Sequence, residues 1–157
     1  MTSGGDESAT EAWRTVNVRR ATDADMAVMK RLWDEFTAEA SYTPYPGASF
    51  DPALLRNHVA LVAEERGAVV GTVYANFASP HFGYVFGLYT CPGARRRGVA
   101  RALMRAIAAV IRGEGRRYVV LSVDTPNEAA RTFYDKLGFV DAARTLRADV
   151  DELTRDV

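Results

Sequence analysis

The chain has 157 residues, 48% of them apolar and 25% charged, ordinary globular values that exclude a disordered chain. A chain this long buries about 68–70% of its unfolded surface without a metal or disulfide staple, and its single cysteine, Cys91, excludes a disulfide framework. Twenty basic residues balance twenty acidic ones, so no bulk field favours nucleic acid or an anionic membrane.

Residues 1–14 are polar and Gly/Ser-rich and read as a flexible tail before one domain over 15–157. They hold no apolar run of the kind a secretory leader needs, which with a lone thiol points to the cytoplasm. Val16 and Val18 alternate with polar neighbours and predict a strand near 15–20. Thr22, three residues before Asp25, is a capping-box signal for the helix that follows. Met26, Met29, Leu32, Trp33, Phe36 and Ala40 recur along that helix at helical spacing. The segment 40–50, with Tyr42, Tyr45 and Phe50, is a loop, and Asp51-Pro52 opens a second, short helix.

Strands near 59–65 and 68–77 flank Glu65-Arg66-Gly67, a hairpin signal, and a further strand runs near 83–90. Gly67 to Ala94 contains no Asp, Glu, Lys or Arg. Gly71, Pro80, Gly83 and Gly87 interrupt it, which fits buried strands and not a spanning helix. Residues 98–112 predict an amphipathic helix with Val99, Leu103, Ala106, Ile107 and Val110 inward, ended by Gly113 and Gly115. Tyr118 to Val123 reads as a fully buried strand. Asn127 caps a helix carrying Ala130, Phe133, Tyr134 and Leu137 inward, with Gly138 at its C′ position. The tail after Phe139 reads as one or two short strands. The order predicts an α/β domain, a mixed sheet with helices on both faces.

The informative stretch is Leu88-Tyr89-Thr90-Cys91-Pro92-Gly93-Ala94-Arg95-Arg96-Arg97-Gly98-Val99-Ala100. A strand ends, a short turn follows, and a helix opens at a glycine behind three arginines. Amides at a helix N-terminus, with the macrodipole, make an anion site. Gly98 lets a phosphate approach the backbone, and arginines can add bidentate contacts. The expected ligand carries a phosphate or pyrophosphate. The bland alternative is a solvated charge cluster. No G-x-G-x-x-G and no Gly-Lys-Ser/Thr is present, so neither a dinucleotide fingerprint nor a P-loop applies. An RNA-binding arginine patch has no further basic stripe to support it.

Arg95-x-x-Gly98-x-Ala100 resembles the acyl-CoA signature, Gln/Arg-x-x-Gly-x-Gly/Ala, of the GNAT superfamily of N-acetyltransferases. The resemblance covers about residues 16–145. Val18 to Asp25 looks like the family's first strand and turn, and Val85 to Thr90 like its fourth strand. Tyr134-Asp135-Lys136-Leu137-Gly138-Phe139 looks like its closing helix. The resemblance implies a mostly antiparallel mixed sheet flanked by helices on both faces. It implies acetyl-CoA as cosubstrate without a metal, an amine acceptor, and dimers as a common state. Backbone groups of Leu88, Tyr89 and Thr90 would pair with the pantetheine arm. Arg95 and the amides of Arg96, Arg97, Gly98, Val99, Ala100 and Arg101 would hold the pyrophosphate. Asn127 would touch the arm from the other side, and Tyr134 would protonate the leaving sulfur. Read from its own helix, Tyr134 is a core tyrosine.

One departure matters. Family members often carry a Glu on the fourth strand as base, where this chain has Phe86 and Gly87. An alkyl amine near pKa 10.4 is only about 0.04% neutral at pH 7, a deficit of roughly 4.6 kcal/mol. His58 and His81 stand isolated in sequence, with no metal-ligand spacing, and neither His81 nor Asp124 recommends itself as base. The expectation is proton loss through ordered water. Tyr45 and Phe86, with Tyr42 and Phe50, suggest an aromatic acceptor pocket or simple loop packing. Cys91, before Pro92 and without a His partner, reads as a structural thiol. The sequence thus supports an acetyltransferase acting by direct attack, against a non-catalytic acyl-CoA sensor of the same fold.

Overall fold

A computed structural model of the chain describes residues 16–39, 50, 51 and 53–155. These fall into two compact units divided after Leu121. The first holds β1 (Asn17–Arg20), a 3₁₀ turn (Asp23–Asp25), α1 (Met26–Glu39), α2 (Leu54–Asn57), β2 (Val59–Glu65) and β3 (Ala68–Asn76). It continues with β4 (Phe82–Thr90), a 3₁₀ turn (Pro92–Ala94), α3 (Val99–Gly113) and β5 (Tyr118–Val120). The strands form one five-stranded sheet in sequential order, antiparallel except for the parallel pair β4–β5.

Local chemistry explains the connections. Arg66 and Gly67 both take positive φ, 53° and 79°, the two-residue type I′ turn whose twist matches a hairpin. At the start of α1 the Asp25 carboxylate accepts the Thr22 N–H at 2.7 Å, the reciprocal half of the expected capping box. Asp51 accepts the Ala53 N–H at 2.8 Å just before α2. Ala40, Tyr42, Tyr45, Pro52 and the tail 1–14 lie outside the described residues.

Strand alternation splits the core between two faces. Met29 of α1 packs with Ala60, Val62 and Tyr74, and Trp33, Phe50 and Phe86 close around them. The other face receives α3: a Cβ on Gly71 would lie 3.1 Å from both Val99 and Leu103, and one on Gly83 2.5 Å from Ile111. The buried stripe of α3 is Val99, Leu103, Met104, Ile107 and Ile111. Met104 and Ile111 therefore take the inner line that Ala106 and Val110 were expected to share, because the helix meets the sheet about one side chain further round. Each fully buried aliphatic side chain of this stripe contributes about 1.5–3 kcal/mol.

Two strand expectations need correcting. β5 spans only Tyr118–Val120 instead of reaching Val123, and Tyr118 is 58% exposed. It is the edge strand, with ladder partners only at Phe82, Gly83 and Tyr84. The tail after Phe139 forms no strand among the described residues. Val140 and Leu146 are exposed, no ladder partner exists for them, and the only regular element is the helix α5 (Val150–Leu153), after α4 (Glu128–Lys136). These two helices belong to the second unit. Among the described residues no helix is long and apolar enough to cross a membrane.

Candidate functional site

β4 changes character at Gly87. Tyr74 pairs with Phe86 and Thr72 with Tyr89, so three steps on β4 oppose two on β3. Gly87 sits at φ 63°, the left-handed residue of a bulge. Glycine is required there for a second reason, since a Cβ would meet the Tyr74 ring at 2.6 Å and Trp33 at 3.1 Å. The extra residue turns Tyr89 back to the face of Phe86, where its ring meets Phe36 of α1 at 6.0 Å. The Thr72 hydroxyl donates to the Gly87 carbonyl at a long 3.4 Å.

The outer edge of β4 pairs with β5 only as far as Tyr84. From Val85 to Thr90 that edge has no strand beside it among the described residues, leaving backbone groups that an extended ligand can pair with. The strand then runs through the Pro92–Ala94 turn into α3, whose N-cap is Gly98 at φ 81° with no side-chain cap. The first helical bond closes from the Ala102 N–H to the Gly98 carbonyl at 3.0 Å. The amides of Val99, Ala100 and Arg101 therefore lack intrahelical acceptors at the positive end of a 15-residue helix. An open strand edge leading to an uncapped helix N-terminus can take an elongated ligand that ends in phosphate.

The three arginines divide by partner. Arg95 donates from Nη2 to the Glu39 carboxylate at 2.6 Å and from Nε to the Thr90 carbonyl at 2.9 Å. Arg97 pairs with Glu65 at 2.8 Å and donates to the Gly93 carbonyl at 3.0 Å. Arg96 is exposed, at φ 64°, and makes no ion pair among the described residues. The sequence placed all three at the anion; two of them are engaged by acids of the protein itself. Glu39 was missed, and the Arg95 guanidinium beside it holds its carboxyl below the usual range. The same carboxylate accepts the Tyr89 hydroxyl at 3.0 Å. Tyr89 is 5% exposed and stands opposite Thr72 of β3 in the ladder. Burial, and then Glu35, push the Cys91 thiol up, consistent with an inert thiol.

In the second unit Asn127 caps α4, its Oδ1 accepting the Ala130 N–H at 3.1 Å. The helix ends in a full Schellman motif: Gly138 N–H donates to Asp135 O at 3.0 Å and Phe139 N–H to Tyr134 O at 3.1 Å. Gly138, at φ 93°, permits it. The motif brings Phe139 onto the Tyr134 ring at 5.4 Å, and Phe133 meets the same ring at 5.2 Å. Burial pushes the Tyr134 hydroxyl up to about 12, so it stays protonated across the physiological range. This is how the sequence Tyr-x-x-x-Gly-Phe fixes one phenol.

Phe86 lies in an aromatic row: stacked on Tyr74 at 5.4 Å and 17°, beside Tyr84 at 6.4 Å, and edge-on to His58 at 5.4 Å and 83°. Trp33 meets Tyr74 at 5.7 Å and Phe50 at 6.2 Å. Trp33 Nε1, His58 Nδ1 and Tyr74 Oη are buried there with no hydrogen-bond partner among the described residues, and Thr90 Oγ1 is likewise unpartnered on β4. Tyr45 lies outside the described residues. Among the described residues no three His, Cys, Asp or Glu side chains are grouped to hold a metal ion.

Sheet, bulge and uncapped helix define an α/β domain whose open strand edge leads to a helix N-terminus suited to an anion. The chain belongs to the GNAT family of acetyltransferases, whose model matches residues 26–139. It is 31% identical over 143 residues to a mycothiol acetyltransferase of Beutenbergia cavernae, a match covering 90% of this chain and 45% of that protein. The chain thus spans less than half the length of that curated relative. A predicted acetyltransferase from Clostridium acetobutylicum, solved with acetyl-CoA, shares the fold at a TM-score of 0.70 and 21% identity, over 87% of this chain and 97% of that one. An aminoglycoside N-acetyltransferase solved with CoA has a TM-score of 0.69 at 17% identity, over 85% and 98% of the two chains.

Proposed function

We propose that this chain moves the acetyl group of acetyl-CoA to a primary amine by direct attack. One observation carries the reading: the unpaired edge of β4 beyond Tyr84 runs into the uncapped N-terminus of α3. That is the shape of a pantetheine arm followed by a pyrophosphate. Backbone groups of Leu88 and Thr90 hold the arm, and the amides from Arg96 to Arg101 hold the pyrophosphate, with Arg96 as the arginine left for side-chain contact. The Asn127 amide touches the arm. Tyr134, kept protonated, gives its proton to the departing CoA sulfur. Phe86 is on the acceptor side.

The reading takes residues 15–157 as one working domain, supported by a family match that runs through both units. It needs no metal and belongs in the cytoplasm, where a lone thiol stays reduced. The acceptor is a primary amine of a small molecule or of a peptide N-terminus.

Thiol release from acetyl-CoA tests the proposal, with a panel of phenethylamine, glucosamine, kanamycin and an N-terminally free phenylalanyl dipeptide. Amine-dependent release supports an acetyltransferase. CoA binding with no amine dependence across the panel favours a sensor of the same fold.

A further inference from the structure

The proposed reaction lacks a residue to take the proton of the acceptor ammonium, because β4 offers Phe86 and Gly87 where the family resemblance leads one to look for a carboxylate. His58 stands beside that gap. Its backbone is extended, φ −134° and ψ 161°, directly before β2. Its side chain therefore shares the face of Ala60 two residues on. In the ladder Ala60 pairs with Tyr74 and Tyr74 with Phe86, and the small Ala60 leaves the imidazole room to reach across to the Phe86 ring.

We propose that His58 is the base of this acetyltransferase, accepting the acceptor amine's proton directly or through one water, while the Phe86 ring holds the imidazole in place. This rests on the acetyl-transfer reading above. Two observations converge on it. His58 is the one histidine in ring contact with Phe86 among the described residues. Its Nδ1 is buried with no hydrogen-bond partner among the described residues, and such an atom in a native structure calls for an explanation. A neutral imidazole also carries one ring nitrogen that can accept a proton, which the phenyl ring of Phe86 and the hydrogen of Gly87 cannot do. His81 does not compete: it precedes β4, five residues from Phe86, exposed in a turn whose carbonyl takes the Arg117 and Tyr118 amides.

The groups around His58 leave it this role. The Tyr74 phenol on β3 is pushed up to about 12 by burial and stays neutral. Tyr84 of β4 lies 6.4 Å from Phe86, ring to ring, and Arg56 of α2 is exposed. The carboxylates of α1 are engaged elsewhere, Asp34 with Lys30, Glu35 with Arg31, and Glu39 with Arg95. The protons balance. The ammonium gives one proton to His58, which passes it to bulk water. The neutral amine attacks the thioester carbon, a C–N bond forms and the C–S bond breaks. The thiolate takes a proton from Tyr134, which is restored by the N–H proton lost as the amide forms.

The test is a pH profile of kcat/KM from pH 6 to 9 for wild type, His58→Gln and His58→Asn, on the panel amines that turn over, with hydroxylamine as an acceptor already unprotonated at neutral pH. For wild type the acidic limb is expected at the same pH for an alkyl amine near pKa 10.4 and for a peptide α-amine near roughly 8. In the variants kcat/KM at pH 7 falls by roughly 10²-fold or more on the alkyl amine and little on hydroxylamine. The CoA-induced melting shift persists in both. A wild-type limb that moves with the acceptor overturns the proposal without any variant, and restores the water route. Equal losses on both kinds of acceptor also overturn it, since they mark a structural role. CoA release from none of the acceptors removes the acetyl-transfer reading itself, and this inference with it.

Discussion

The Arg95 guanidinium grips the Glu39 carboxylate at 2.6 Å, fifty-six residues earlier in the chain. The contact ties the end of β4 to the last turn of α1, and Arg95 also lies over the Tyr89 ring at 5.5 Å. A residue that the signature assigns to phosphate is thereby committed to holding the strand end. Both partners are near half exposed, 43% and 45%, so the pair itself is worth at most about 1 kcal/mol.

Arg95→Gln is accordingly expected to lower CoA affinity less than about tenfold, or about 1.4 kcal/mol. Calorimetric titration with CoA decides it. A larger loss would mean that Arg95 leaves Glu39 when the ligand arrives.

The bulge gives a stability prediction with an internal control. Gly87→Ala places a Cβ 2.6 Å from the Tyr74 ring at a φ of 63°. Overpacking costs about 1–3 kcal/mol, and the left-handed backbone adds about 1–2. Gly93→Ala meets nothing within 4 Å and is expected within about 0.5 kcal/mol of wild type. Urea midpoints compare the two; similar values would show that the bulge relaxes freely.

Local chemistry was legible in the sequence where a rule needs only neighbours. The type I′ turn at Arg66-Gly67, the Asn127 cap and the glycine ending α4 all follow from residues a few positions apart. The strand edge open beyond Tyr84 was not legible, because it depends on how far β5 finds a partner. Neither were the engagements of Arg95 and Arg97, since Glu39 and Glu65 reach them only through the tertiary fold. His58 looked isolated for the same reason. Its meeting with Phe86 is set by the register of β2, β3 and β4, which no spacing along the chain reveals.

Asp25 carries a pH prediction. Arg19 grips it at 2.8 and 2.9 Å and bridges to Glu64 at 2.8 Å. The Arg19 hydrogen bonds, chiefly, hold the buried Asp25 carboxyl down at about 2. A depressed carboxylate contributes stability that is present above its unfolded pKa and lost as pH falls through the folded value. Stability on the order of 2 kcal/mol should therefore drain between about pH 4 and 2. Asp25→Asn should lose it at neutral pH and flatten that part of the curve in acid unfolding. An unchanged acid profile would put the pair's worth near zero.

Tyr134→Phe keeps the ring that meets Phe133 and Phe139 and deletes only the hydroxyl. Turnover is expected to fall by roughly 10²–10⁴, with CoA affinity little changed. Because the phenol stays protonated to about 12, no alkaline loss of the acid is expected below pH 9. Full activity in the variant would return Tyr134 to a packing role.

The central claim, that the N-terminus of α3 holds the ligand's phosphates, is tested most directly by thermal melts with CoA. At about 100 times its Kd, CoA should add about 2.7 kcal/mol to wild-type stability. Gly98→Glu sets a carboxylate where the pyrophosphate belongs. At φ 81° it also strains the backbone, so the quantity to read is the CoA-induced shift and not the melting temperature. The account predicts a clear shift in wild type and none in Gly98→Glu. A variant that responds to CoA as wild type does would contradict it.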